Sequence, residues 1–119
     1  MSPTRSRRRR VALLSRRHVP VFAALGDTTR LSLLTRLCER APCSIATLAE
    51  RLPISRQAIT KHLQVLENAG LVRGEMAGRE RLFELAPKPL LQAKDYLDLV
   101  AKQWDAALLR FKAHVEQTE

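Results

Sequence analysis

The run Ser55-Arg56-Gln57-Ala58-Ile59-Thr60-Lys61-His62-Leu63-Gln64-Val65-Leu66-Glu67-Asn68-Ala69-Gly70 decides the fold of this chain. Ser55 is of a residue type that caps helices, its hydroxyl oxygen accepting from a free N–H of the first turn. Ile59, Leu63 and Leu66 follow at spacings of four and three, which gives a helix one apolar face. Gly70, after Asn68-Ala69, supplies the left-handed cap that stops it. Arg56, Gln57, Thr60, Lys61 and Gln64 fall on the opposite face. Just upstream, Ser44 caps a short helix with the stripe Ile45, Leu48, Ala49 and Leu52, and Pro53 breaks the chain between the two. Downstream, Leu71 to Glu75 and Glu80 to Leu85 read as strands. They are joined through Met76-Ala77-Gly78-Arg79, a basic tip longer than a two-residue turn. This order of elements predicts a winged helix-turn-helix.

Outward from that centre, Asp27 is the N-cap of a helix from Thr28 to about Arg40, with Leu31, Leu34, Leu37 and Cys38 as its apolar positions. Pro20 suits the first turn of a short helix to about Leu25, which Gly26 ends. Pro87 and Pro89 introduce a last helix to about Gln117, apolar at helical spacing from Leu90 through Trp104 to Val115. The predicted fold class is mainly α with a small β-hairpin: five helices, a two-stranded wing and a long C-terminal dimerisation helix. Residues 19–117 make one DNA-binding and dimerisation domain, and residues 1–18 a basic, flexible arm.

Charge supports that division. Of 21 basic residues, Arg5, Arg7, Arg8, Arg9, Arg10, Arg16 and Arg17 lie within the first 20 positions with no acid among them. The remaining 14 basic and 12 acidic residues leave a net of only +2 out of +9. An arginine arm suits a polyanion, because each neutralised phosphate releases condensed counterions, and it equally suits a solvated tail adding non-specific affinity. The apolar run Val11 to Leu14 is too short for a signal peptide, and no stretch approaches the ~18 apolar residues of a membrane span. Two cysteines make no disulfide framework, so the expected compartment is the cytoplasm.

In a helix-turn-helix the second helix lies in the major groove with its N-terminal residues against base edges. Arginine pairs bidentately with guanine and glutamine with adenine, so Arg56, Gln57, Thr60, Lys61 and Gln64 are of the right types for base readout. Ser55, Thr60 and His62 suit phosphate contacts that hold the register. Arg79 at the wing tip suits the adjacent minor groove. Arg81 and Arg73 suit either phosphates or pairing with Glu75 and Glu80. The predicted partners are double-stranded DNA and a second copy of the chain. A final helix of 29 residues from Pro89 to Gln117 would run ~43 Å, longer than a domain of this size needs. Its stripe either folds back on its own core or pairs across a two-fold axis through Tyr96, Leu97, Val100, Trp104 and Phe111.

The chain resembles the ArsR/SmtB family of winged-helix repressors over roughly residues 19–117. The resemblance rests on Phe22-Ala23-Ala24-Leu25-Gly26-Asp27-Thr28-Thr29-Arg30, on Ile54 through Val72, on the Gly78-Arg79 tip, and on a C-terminal helix bearing Trp104. Thr28 stands where the family usually has proline, a change that the first helical turn tolerates. The resemblance implies a homodimer, repression from an inverted-repeat operator, and release by an effector. It implies no metal here. The family's Cys-x-Cys site falls on Ser44 and Ala46, with Cys43 one residue away and without a partner. Its C-terminal site needs Asp-x-His and His-x-x-Glu, whereas this chain has Asp95-Tyr96-Leu97, Asp98-Leu99-Val100 and His114-Val115-Glu116-Gln117.

Three histidines, His18, His62 and His114, lie in separate elements and make no zinc-ligand cluster. Cys38 falls on the apolar face of its helix and reads as a buried structural thiol; the other reading makes Cys38 and Cys43 a thiol- or metal-responsive pair. No cofactor is implied, and neither a Ser/His/Asp or Cys/His pairing nor a glycine-rich phosphate loop supports an enzyme. The effector and the operator are not legible. The competing function is a general RNA- or nucleoid-binding protein working through the arm, which predicts binding indifferent to duplex sequence.

Overall fold

Asp27 marks a corner on which three helices meet. The computed structural model describes residues 3–118, without the side chains of residues 3–7, 10–15 and 118, so the expected contacts of Arg5, Arg7 and Arg10 lie outside the described residues. Helix α1 spans Pro3–Leu25 and α2 spans Thr28–Arg40. A short strand β1, Cys43–Ser44, leads into α3, Ile45–Ala49. Helix α4 is Arg56–Asn68, the wing is β2, Val72–Ala77, with β3, Glu80–Leu85, and α5 is Pro87–Thr118.

The caps fall where local chemistry places them. Asp27 accepts from the Arg30 N–H at 2.9 Å, Ser44 from Thr47 at 3.2 Å, and Ser55 from Ala58 at 3.1 Å. At the far end of α4, the Leu71 N–H returns to Leu66 O and the Gly70 N–H to Glu67 O, both at 2.9 Å. Gly70 has φ +78°, so this is a Schellman stop in which glycine avoids the steric cost of a Cβ.

Five features differ from the sequence expectation. Helix α1 starts at Pro3, not at Pro20, which lies inside it. Between those prolines stand arginine, alanine and leucine with no glycine, so the segment before Pro20 has helical propensity even though an interior proline costs about 3 kcal/mol. Strand β1 adds a third strand to the expected two, in the order β1-β3-β2. It pairs Cys43 with Phe83 and Ser44 with Leu82, and two residues are too few to show alternation. The wing turn is only Gly78-Arg79, since Ala77 pairs with Glu80. Gly78 at φ +65°, followed by a non-glycine with negative φ, is the type II′ pattern that matches strand twist. Cys38, expected to be buried, is exposed, and Cys43 is the buried cysteine. The inward side of α2 is centred on Leu33 and Leu37, with Leu31 48% exposed, so Cys38 turns outward. The Cys43 thiol donates to Arg40 O at 2.9 Å, and burial pushes its pKa up against the nearby Arg36 and Arg40 charges. Finally, Arg73 and Arg81 pair with Glu84 and Glu67, not with Glu75 and Glu80.

The core is aliphatic. Leu33 and Leu37 of α2, Leu48 of α3, and Ile59, Leu63 and Leu66 of α4 close on Leu71, Val72 and Phe83 of the wing base. Val21 and Ala24 of α1 and Ala93 of α5 complete it. His18, Phe22 and Tyr96 stack between α1 and α5, with His18–Tyr96 centroids 5.2 Å apart and Phe22–Tyr96 5.9 Å. Beyond Val100 the described α5 side chains are exposed.

At the corner, Arg30 joins what the chain separates. Its Nε donates to Ala24 O at 2.6 Å and its Nη2 to Ala23 O at 3.3 Å, satisfying last-turn carbonyls of α1. Its Nη1 lies 3.4 Å from His62 Nδ1 on α4. The Asp27 carboxylate, 3.8 Å from the same ring, is held below its usual pKa by the Arg30 N–H, with the Arg30 and His62 charges adding to this.

Two outcomes follow from this packing. Leu63→Ala, which empties a fully enclosed α4 position, should cost about 2–5 kcal/mol in urea unfolding, with m unchanged. Asp27 has a lowered folded pKa, so its charge stabilises the fold above the ordinary value of 3.8 and stops doing so as pH falls through the folded value. Asn also caps helices, so wild type should melt above Asp27→Asn at neutral pH, and the gap should close on acidification below pH 3.8. A gap that persisted to low pH would show that the carboxylate charge is not what matters.

Candidate nucleic-acid interface

Helices α3 and α4, with the turn between them, form one edge of the molecule, and the wing flanks it. The core contacts of Ile59, Leu63 and Leu66 fix the rotation of α4 about its axis. Arg56, Gln57, Thr60, Lys61 and Gln64 are thereby left exposed as one face. Arg56 and Gln57 occupy the first turn just after the Ser55 cap, where the unpaired N–H groups and the helix dipole attract anions.

The hydroxyls are partly committed. Ser55 Oγ accepts from Ala58 N–H, so its own O–H remains to donate outward. Thr60 Oγ1 donates to Arg56 O at 2.8 Å, which leaves its lone pairs for an incoming donor. His62 is placed differently: its ring is 26% exposed and its Nδ1 faces Arg30 and Asp27, so Nε2 is the ring nitrogen left for an outside partner. It stands on the flank of α4 beside α1 and α2.

The opposite flank is braced by Glu67, whose role the sequence reading missed. Glu67 Oε2 accepts from Arg81 Nη2 at 2.7 Å and from the Gly74 backbone N–H at 3.2 Å, tying α4 to both wing strands. The Arg81 guanidinium also lies over Phe83, 5.1 Å from the ring centroid. Gly74 is required by this closeness, because a Cβ there would stand 2.7 Å from Arg81 Nε and 2.8 Å from Phe83 Cε1. The signal available in the sequence was that Glu67 is the one acid of α4, against Arg56 and Lys61.

Pairing therefore sorts the cations of this edge. Arg73 is bound to Glu84 at 2.9 Å and Arg81 to Glu67. Among the described residues Arg56, Lys61 and Arg79 form no ion pair, and Arg79 is exposed at the hairpin tip. Glu67 is neutralised within the fold, so the outer face of α4 carries net positive charge. Among the described residues, no group of three or more His, Cys, Asp and Glu side chains is placed to hold a metal ion. Cys38 and Cys43 differ in exposure. Tyr96 is half-buried in the α1–α5 stack, Val100 is half-buried, and Leu97, Trp104 and Phe111 are exposed along α5.

Comparison with known proteins agrees with this geometry. A helix-turn-helix domain family model matches residues 25–75, which hold Asp27 and Arg30 of the corner, both helices of the motif and the start of the first wing strand. The HTH-type transcriptional regulator Rv2034 of Mycobacterium tuberculosis is 39% identical over 87 residues, covering 73% of this chain and 78% of that protein. An ArsR-like transcriptional regulator from Rhodococcus superposes with a TM-score of 0.76 at 39% identity, over 88% of this chain and 95% of that one. A homodimeric winged helix-turn-helix domain from Mycobacterium bovis shares the fold, with a TM-score of 0.61 at 22% identity over 77% of this chain and 84% of that one. With its capped α4, wing and long α5, the chain belongs to the ArsR family of helix-turn-helix transcriptional regulators.

Proposed function

We propose that this DNA-binding regulator is a homodimeric repressor that reads an inverted-repeat operator through α4. The observation that carries this reading is the exposed, unpaired cationic face of α4, held between the His62 and Glu67 braces. Arg56, Gln57, Thr60, Lys61 and Gln64 read the major groove, Arg56 toward guanine and Gln57 toward adenine. Ser55 O–H and His62 Nε2 contact phosphates and set the register. Arg79 enters the minor groove. Arg81 is the weakest candidate for DNA, since a phosphate would have to displace Glu67. Basic residues 1–18 add non-specific phosphate affinity, and the operator complex forms in the cytoplasm.

The homodimer reading is supported by α5. Trp104 is 68% exposed and Phe111 66%, on the part of α5 beyond Val100, where the described side chains are exposed. Large apolar side chains so placed fit a partner helix better than water. The M. bovis relative of this fold is homodimeric. Paired recognition helices then address half-sites about 34 Å apart. Control runs through something other than metal, because Leu97 and Gln117 stand where the family's C-terminal site needs histidine and glutamate.

Fluorescence anisotropy tests the reading, with the protein titrated at near-physiological salt into duplex from its own upstream region and into a scrambled duplex. Preference by about three orders of magnitude supports an operator-specific regulator, and equal affinity after removal of the basic arm counts against it. Gln57→Ala should flatten the preference among single-base operator variants by about 1–3 kcal/mol; an unchanged ranking would remove Gln57 from base readout. Trp104→Glu should convert the dimer to monomer in sedimentation velocity while leaving the far-UV helical signal intact. A variant that stays dimeric would move the interface away from this stretch of α5.

A further inference from the structure

Behind the recognition helix, a cleft of about 410 Å³ opens between the outer face of α2 and the turn that joins α3 to α4. Arg36 of α2 and Arg51 of the turn line it, and no carboxylate does. Among the described residues neither arginine forms an ion pair. Arg36 Nε is moreover buried with no hydrogen-bond acceptor. Folded proteins rarely leave such a donor unmet, because its desolvation is then uncompensated. Two arginines on a cleft without a carboxylate make it cationic, and an anion bound there would offset that charge. We propose that this cleft is a phosphate-binding site, distinct from the α4 face, in which Arg36 and Arg51 clamp one phosphate group.

The remaining walls suit that ligand. Ser32 Oγ donates to Thr28 O at 3.1 Å and Thr35 Oγ1 to Leu31 O at 3.0 Å. Both carbonyls also accept helical N–H bonds, so either hydroxyl turns toward an anion without orphaning a carbonyl. Leu31 and Leu52 give the cleft an apolar side for the body of a phosphorylated small molecule. The same chemistry also fits a duplex backbone phosphate, because Arg51 lies four residues before the Ser55 cap. Bridging α2 to this turn would restrain the segment that sets the start of α4.

The test uses the full chain labelled with nitrogen-15. Inorganic phosphate and then pyrophosphate are titrated at constant ionic strength, with chloride as the control and the arginine Nε–H resonances as readout. Saturable shifts at Arg36 and Arg51, absent at Arg56 and Arg79 and abolished by the exposed-site variant Arg51→Gln, are the expected result. That arm needs no DNA, so it stands or fails apart from the operator reading. In a second arm the salt dependence of duplex binding is compared between wild type, Arg36→Gln and Arg51→Gln. A slope lowered by about one unit in each variant assigns the phosphate to the duplex. An unchanged slope with saturable anion binding assigns it to a free ligand. Uniform, unsaturating shifts at all arginines together with an unchanged slope would overturn the proposal.

Discussion

Arg30 meets three elements at once, and each contact answers a different physical demand. The last carbonyls of α1 lack partners within the helix; Ala23 O accepts from the Gly26 N–H, and the guanidinium supplies donors to both Ala23 and Ala24. Its backbone N–H fills the Asp27 cap, so the residue that ends one helix also helps to start the next. What remains of the guanidinium faces His62, part of the recognition helix. Hydrogen bonds from a charged donor are worth roughly 1.5–3 kcal/mol each, more than neutral ones. One side chain therefore relates the α1–α5 layer to α4, and a change at this corner would alter the angle at which α4 is presented.

The second restraint on α4 is of unequal composition, and magnitudes decide which part matters. Arg73–Glu84 is a single exposed contact across the wing, in the range of 0–1 kcal/mol for surface pairs. Glu67–Arg81 differs because the carboxylate also accepts from the Gly74 N–H and the guanidinium rests on Phe83, whose side chain is in the core. Four groups share that geometry, so less entropy is lost for each contact made. The wing is thus carried by Glu67 and Gly74, and Arg73–Glu84 contributes mainly to the solubility of its outer face. Arg79, two residues from Arg81, is left to point away from the body of the protein.

Most of this was legible wherever the chemistry is local. Asp27, Ser44, Ser55 and Gly70 announce helix ends because a cap needs one side chain and its own neighbouring backbone. Ile59, Leu63 and Leu66 announce a face because helix period is a property of the chain alone. The failures share the opposite character. The two residues of β1 become a strand only because β3 lies beside them, and Cys38 turns outward because of how α2 seats on the core. The bonds of Arg30 and Glu67 span 32 and 14 residues at their longest, beyond any pattern of spacing. Pro20 misled for another reason: proline is common at helix starts, yet here it lies inside a helix of 23 residues in spite of its lost N–H and its clash with the preceding turn.

The long helix α5 shows how the same distinction bears on assembly. Its 32 residues would span about 48 Å, yet Ala93 is its one buried hydrophobic among the described residues. Helix propensity contributes only marginally to such an element, and most helical stability in proteins comes from burying an apolar face. The first half of α5 has that burial through the His18–Phe22–Tyr96 stack with α1. The second half holds Trp104, Leu108 and Phe111, each at least 60% exposed. In the proposed homodimer the partner would bury that stripe, and α1 would share the seam because it lies along the same helix. The seam and the Arg30 corner would then be joined through one rigid helix, α1, only a few residues apart. Whatever shifted α1 against α5 would therefore reach His62 through Arg30, with α2 acting as the lever between the dimer seam and the DNA-facing helix.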